Sequence, residues 1–135
     1  MRARKMALIA AVLLGAGAGP ASAMPFPAGY EAAYRAFVNA LPASARGSGW
    51  LTKFDGVSAP PRPLKLAGKP VQYLFACRNH YCDTDNVNIF LAPDRKHFRA
   101  VLELNGKRTL LGGAGPLEVA CVRKLDESGG AAENC

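Results

Sequence analysis

Much of what catalysis or metal binding would need is missing from these 135 residues. His80 and His97 are the only histidines, too few for an imidazole-rich metal centre. No serine stands in a G-x-S-x-G elbow. The glycines at 112, 113 and 115 lack the lysine and hydroxyl residue of a phosphate-binding loop. Asp83-Thr84-Asp85-Asn86 matches the start of a calcium loop, but neither the glycine at its sixth position nor the glutamate at its twelfth is there. Cys77 and Cys82 are spaced C-x4-C, which is neither the redox C-x-x-C nor a haem-attachment C-x-x-C-H. Asp83 and Asp85 could in principle work as paired carboxylates, but they sit in a polar turn where solvated charge is the ordinary explanation. The expectation is a protein that is not an enzyme and carries no metal or other cofactor. Its basic residues are scattered and not interleaved with aromatics, so nucleic acid is not an expected partner.

What is present begins with a leader. Arg2, Arg4 and Lys5 give way to an apolar run from Met6 to Leu14, and small residues close the stretch on Ala21-Ser22-Ala23. A charged, an apolar and an A-x-A region in that order read as a secretory signal peptide over residues 1–23. A membrane anchor is the competing reading, since residues 6–23 carry no charge. Gly15, Gly17, Gly19 and Pro20 weaken its second half, and no basic cluster follows. No stable membrane insertion is therefore expected after cleavage near Met24. Residues 24–135 suffice for one core and one domain. They hold 14 basic against 10 acidic residues, a mild +4 that permits unspecific attraction to anionic surfaces.

Four cysteines, Cys77, Cys82, Cys121 and Cys135, in an exported chain read as two disulfides. Three pairings are open, and Cys77–Cys82 with Cys121–Cys135 is favoured because each is local. The first would shape a loop and the second would pin the chain end.

Hydrophobic spacing supplies the elements. Tyr30, Ala33, Tyr34, Phe37, Val38 and Leu41 mark one face of a helix that Pro42 stops. Residues 43–69, with Pro60-Pro61-Arg62-Pro63, read as loops and extended chain, with Trp50 and Leu51 plugging the edge of the core. From Val71 the alternation of β-formers predicts strands at 71–76, 87–91, 98–104 and 107–111, with one sheet face more fully buried. Asn105-Gly106 joins the last two as a hairpin turn. Pro116 opens a short helix whose Leu117, Ala120, Cys121 and Leu125 would face inward, with Glu118 near its positive end. The fold expected is α+β: an antiparallel sheet of about four to five strands, an N-terminal helix and a short C-terminal helix. Such a sheet has edges where a second copy could pair, and the sequence leaves monomer and homodimer both open.

Cys77-Arg78-Asn79-His80-Tyr81-Cys82 lies between two of those strands. A bond across its base would turn four large polar or amphipathic residues into a stiff projection, and ordering a loop before binding lowers the entropic cost of association. The plainer alternative is a structural hairpin whose side chains face water. The chain resembles the Ivy family, periplasmic inhibitors of vertebrate C-type lysozyme. The likeness runs through Ala36-Phe37, Leu41-Pro42, Ala76-Cys77 and Val87 to Leu91, and is most specific in the closed loop. The family's C-K-P-H-D-C is here C-R-N-H-Y-C. Cys77, His80 and Cys82 match and Arg78 keeps the charge, while Asn79 replaces proline and Tyr81 replaces aspartate. The resemblance implies a periplasmic α+β protein that occupies the lysozyme cleft with this loop and sets His80 against the catalytic carboxylates. Arg78, Asn79, Tyr81, Asp83 and Asp85 would complete the target-binding surface, the two aspartates adding a local acidic field. Two alternatives remain: a bacterial lytic transglycosylase as the target, suggested by the net positive charge, or a non-inhibitory envelope protein associated with peptidoglycan.

Overall fold

The β-formers from Val71 onward send successive side chains to opposite faces of the strands they build, and both faces are covered. The computed structural model describes residues 24–135, and the expected leader, residues 1–23, lies outside the described residues. The order is helix α1 (Glu31–Ala40), a 3-10 turn (Ala43–Ala45), α2 (Gly49–Thr52), β1 (Val57–Leu66), β2 (Lys69–Cys77), β3 (Asn86–Leu91), β4 (Phe98–Leu104), β5 (Lys107–Leu111) and α3 (Pro116–Glu127). The strands form one antiparallel meander in sequence order. The fold is α+β, with a five-stranded sheet between an N-terminal helix and a short C-terminal one.

Leu74, Ala76, Val87, Ile89, Leu91, Ala100 and Leu102 point to one face. There they meet Phe37 of α1, Leu41 beyond it, and Trp50 and Leu51 of α2, all buried. Phe26, in what reads from sequence as a mere lead-in, is central to this layer: its ring lies 5.2 Å from Tyr34 and 5.5 Å from Phe37. Tyr73, Phe90 and Val101 point the other way, onto Cys121, Val122 and Leu125 of α3. The sheet is thus covered on both faces, because a helix packs on each side, and the larger buried cluster lies on the α1 face. Burial raises the Tyr73 phenol above its usual range, an effect the Arg62 charge opposes, and its hydroxyl bonds the buried Asn88 side chain.

Two expectations need correction. Residues 57–66, which read from sequence as loops and extended chain, are a paired strand. Proline cannot donate to a ladder, so this strand can only lie at the sheet edge, and its register shifts between Ala59 and Arg62, around Pro60 and Pro61. In α3, Leu117 and Ala120 are exposed and Glu118 and Val122 are buried instead. The helix can roll that way because the Glu118 carboxylate is satisfied inside: it accepts from the Gly115 amide at 2.7 Å and from Arg99 at 3.2 Å.

Candidate binding loop

β2 ends at Cys77 and β3 begins at Asn86, its Cα partner across the ladder. Between them the chain makes two consecutive tight turns. The Tyr81 amide donates to the Arg78 carbonyl at 2.8 Å, and the Asp85 amide donates to the Tyr81 carbonyl at 2.8 Å. Cys77 is buried and disulfide-bonded to Cys82, with the Cα atoms 4.9 Å apart. Asn86 Nδ2 holds the Cys82 carbonyl at 2.8 Å. The loop base is therefore fixed covalently and by hydrogen bonds at both ends.

The tip is Asn79-His80-Tyr81. All three are exposed, Tyr81 at 49%. His80 has φ +72°, left-handed backbone that suits a central turn position and costs a residue with a Cβ about 1–2 kcal/mol. Arg78 lays its guanidinium 4.3 Å from the Tyr81 ring centroid. That contact braces the loop across its tip.

Asp83 is exposed, but Asp85 is not: it is buried at 6% exposure. Its Oδ1 accepts from the Asn105 amide at 2.9 Å and its Oδ2 pairs with Arg78 Nη1 at 3.4 Å. Asp85 is consumed in holding the loop and adds no outward acidic field. Arg78, half exposed, shares its charge with that carboxylate. The unbroken polar run at 83–86 gives no sign of which carboxylate turns inward.

Sequence reasoning missed the loop's supports. The Gly106 amide donates to the Thr84 carbonyl at 3.0 Å, so the β4–β5 turn is docked against the loop. That turn is the expected Asn105-Gly106, with φ of +52° and +77°. Gly56 packs so closely that a Cβ there would come within 2.4 Å of the Cys77 carbonyl oxygen and 3.3 Å of the Asn79 nitrogen. These supports are contacts of high sequence separation, which spacing rules do not reach.

Cys121 and Cys135 form the second disulfide, 5.2 Å apart at Cα. It holds the chain end against the outer edge of β1. The Cys135 amide donates to the Lys65 carbonyl at 2.7 Å, and the Lys65 amide to the Glu133 carbonyl at 3.0 Å. Arg62 reaches the Gly130 and Ala132 carbonyls at 2.6 and 2.7 Å. Among the described residues, no group of three or more His, Cys, Asp or Glu side chains is placed to hold a metal. No helix among them is long and apolar enough to cross a membrane. No protein-family model matches the chain, and no curated protein matches its sequence.

Proposed function

We propose that this chain is an exported, periplasmic protein inhibitor of a muramidase, acting as the resemblance to the Ivy family implies. The carrying observation is the exposed His80 at the tip of a loop closed by Cys77–Cys82 and docked on the β4–β5 turn. A retaining glycosidase cleft presents an acid and a carboxylate about 5–5.5 Å apart. An imidazole can donate to one and accept from the other, and when protonated it makes a charge-assisted bond. Backbone strain tends to collect where function needs it, and the φ of His80 fits a side chain held outward at some cost. Inhibition is occupation of the cleft, with no bond made or broken.

Two targets are open to an occluding loop of this kind, and charge separates them. A basic C-type lysozyme would be repelled at long range by a +4 partner unless the binding surface were locally acidic. With Asp85 internal, Asp83 alone of the two aspartates faces outward. That favours a less basic bacterial lytic transglycosylase over lysozyme.

The deciding experiment is a parallel lysis assay of residues 24–135 against egg-white lysozyme and a lytic transglycosylase. His80→Ala is expected to weaken inhibition at least tenfold with an unchanged melting temperature. Unaltered inhibition would remove His80 from the centre of the mechanism. Inhibition of neither enzyme, with retention on peptidoglycan, would leave an envelope-associated structural role.

A further inference from the structure

At the other end of the sheet, the β1–β2 turn, the β3–β4 turn and the start of α3 surround an open groove of about 640 Å³. That is within the usual size range of small-molecule sites, roughly 300–1,000 Å³. Its lining is largely apolar and includes Leu66, Val71, Phe90 and Phe98. Leu117 also lines it and is 41% exposed. This is the leucine that helical spacing assigned to the core. The roll that buries Glu118 leaves it at the groove instead.

Charge says what the groove would accept. Four ion pairs occur among the described residues: Arg78–Asp85, His97–Asp94, Arg99–Glu118 and Arg108–Glu103. Lys69, which lines the groove, belongs to none of them. Arg99 also lines it, gives one Nη to Glu118, and remains 56% exposed. Asp94 is the carboxylate on the lining, and it is already engaged by the Lys96 and His97 amides and by His97 Nδ1. Apolar walls beside Lys69, which is in none of these pairs, and the still half-exposed Arg99 suit an anion with an apolar tail.

We propose that this groove binds a free single-chain carboxylate amphiphile, a medium-chain fatty acid. Its tail lies along Val71, Phe90 and Leu117 and its carboxylate faces Lys69 and Arg99. A groove of this size suits one alkyl chain better than the paired tails of a membrane lipid. An added peptide strand is disfavoured because the outer edge of β1 at Lys65 is already paired with the chain end. The proposal is independent of the inhibitor reading.

The test is calorimetric titration of residues 24–135 with octanoate, decanoate and dodecanoate below their micelle concentrations. The expected result is one saturable site whose affinity rises about twofold to fourfold per added methylene. Leu117→Asp and Lys69→Glu should each weaken decanoate at least fivefold with an unchanged melting temperature, since both side chains are exposed. Decyltrimethylammonium should bind at least tenfold more weakly than decanoate. Absence of saturable binding, no dependence on chain length, equal affinity for the cationic amphiphile, or full binding by both variants would each overturn the proposal. Binding to phosphatidylglycerol vesicles or to apolar peptides without decanoate binding would overturn it as well.

Discussion

Cys77 and Cys82 lie five residues apart at one connection between neighbouring strands, whereas Cys121 and Cys135 lie fourteen apart and tie a helix to the chain end. The bonds are chemically alike, yet their surroundings give them different work. The first closes a loop that is already docked by Thr84, Asp85 and Asn86 and that points its tip into solvent. The second holds a segment made largely of Ser, Gly and Ala, residues 128–132, which has little apolar surface to keep it in place. What that segment leads to matters more than what it is, because Glu133 to Cys135 beyond it pair with the outer edge of β1 at Lys65. Elsewhere on that edge Pro60, Pro61 and Pro63 remove donors outright. One disulfide thus orders a projection and the other completes a guarded sheet edge.

Removing the tail bond should have the larger effect on stability. Closing a fifteen-residue loop contributes about 3 kcal/mol by chain entropy. Cys121→Ala/Cys135→Ala should therefore lower the melting temperature by roughly 10–20 °C. It should also free the Lys65 edge for pairing between copies, read as concentration-dependent association by size exclusion. A variant that melts like the parent and stays at its size would show that Arg62, through the Gly130 and Ala132 carbonyls, holds the tail without help.

Removing the loop bond should reverse the emphasis. The six-residue loop accounts for about 2 kcal/mol. In Cys77→Ala/Cys82→Ala, amide exchange should quicken from Asn79 to Cys82. It should stay slow at Asp85, whose amide and carboxylate remain bonded to Tyr81 and Asn105. Inhibition should fall more than tenfold, because the entropy of ordering the tip moves into the binding step. Equal loss of protection across the sheet would make this bond a general support like the other and erase the contrast.

How much of this was legible depended on the range of the interaction involved. Helix α1, strands β2 to β5 and the Asn105-Gly106 turn follow from spacings of a few residues, and both disulfides from the locality of their cysteines. Strand β1 was not legible, because proline density signals a break unless the chain is known to lie at an edge. Phe26 was hidden by the prolines on either side of it, although its ring is packed against both Tyr34 and Phe37. The roll of α3 depended on Arg99, nineteen residues before Glu118, which makes burial of that carboxylate tolerable. The exposed tip of the candidate loop was anticipated. The inward turn of Asp85 was not, since its partner Asn105 is twenty residues away.

A third turn offers the mildest version of the same comparison, because a carboxylate takes the place of a covalent bond in bracing it. Between β3 and β4 the Ala92 amide bonds the His97 carbonyl at 2.9 Å, and Asp94 collects the amides of Lys96 and His97 and the His97 ring at 2.5 Å. Those partners, the Lys96 amide first and then His97, hold the Asp94 carboxyl well down, at about 2 against an ordinary 3.8. A depressed carboxylate pKa stabilises the fold above the unfolded value and loses that contribution as pH falls through the folded one. Asp94→Asn should therefore melt slightly below the parent at pH 5, and the gap should narrow below about pH 4 and close near pH 2. Glu31, lowered by its own amide and that of Gly29, and Asp126, raised by burial and by Glu103 and Glu127, also titrate in acid, but both are common to the two proteins and cancel in the difference. Thermal melts from pH 5 to 1.5 read the gap directly. A gap that persists unchanged to the lowest pH would mean the turn depends on the shape of the Asp94 side chain and not on its charge, leaving the disulfide loop without a charge-braced counterpart at the other end of the sheet.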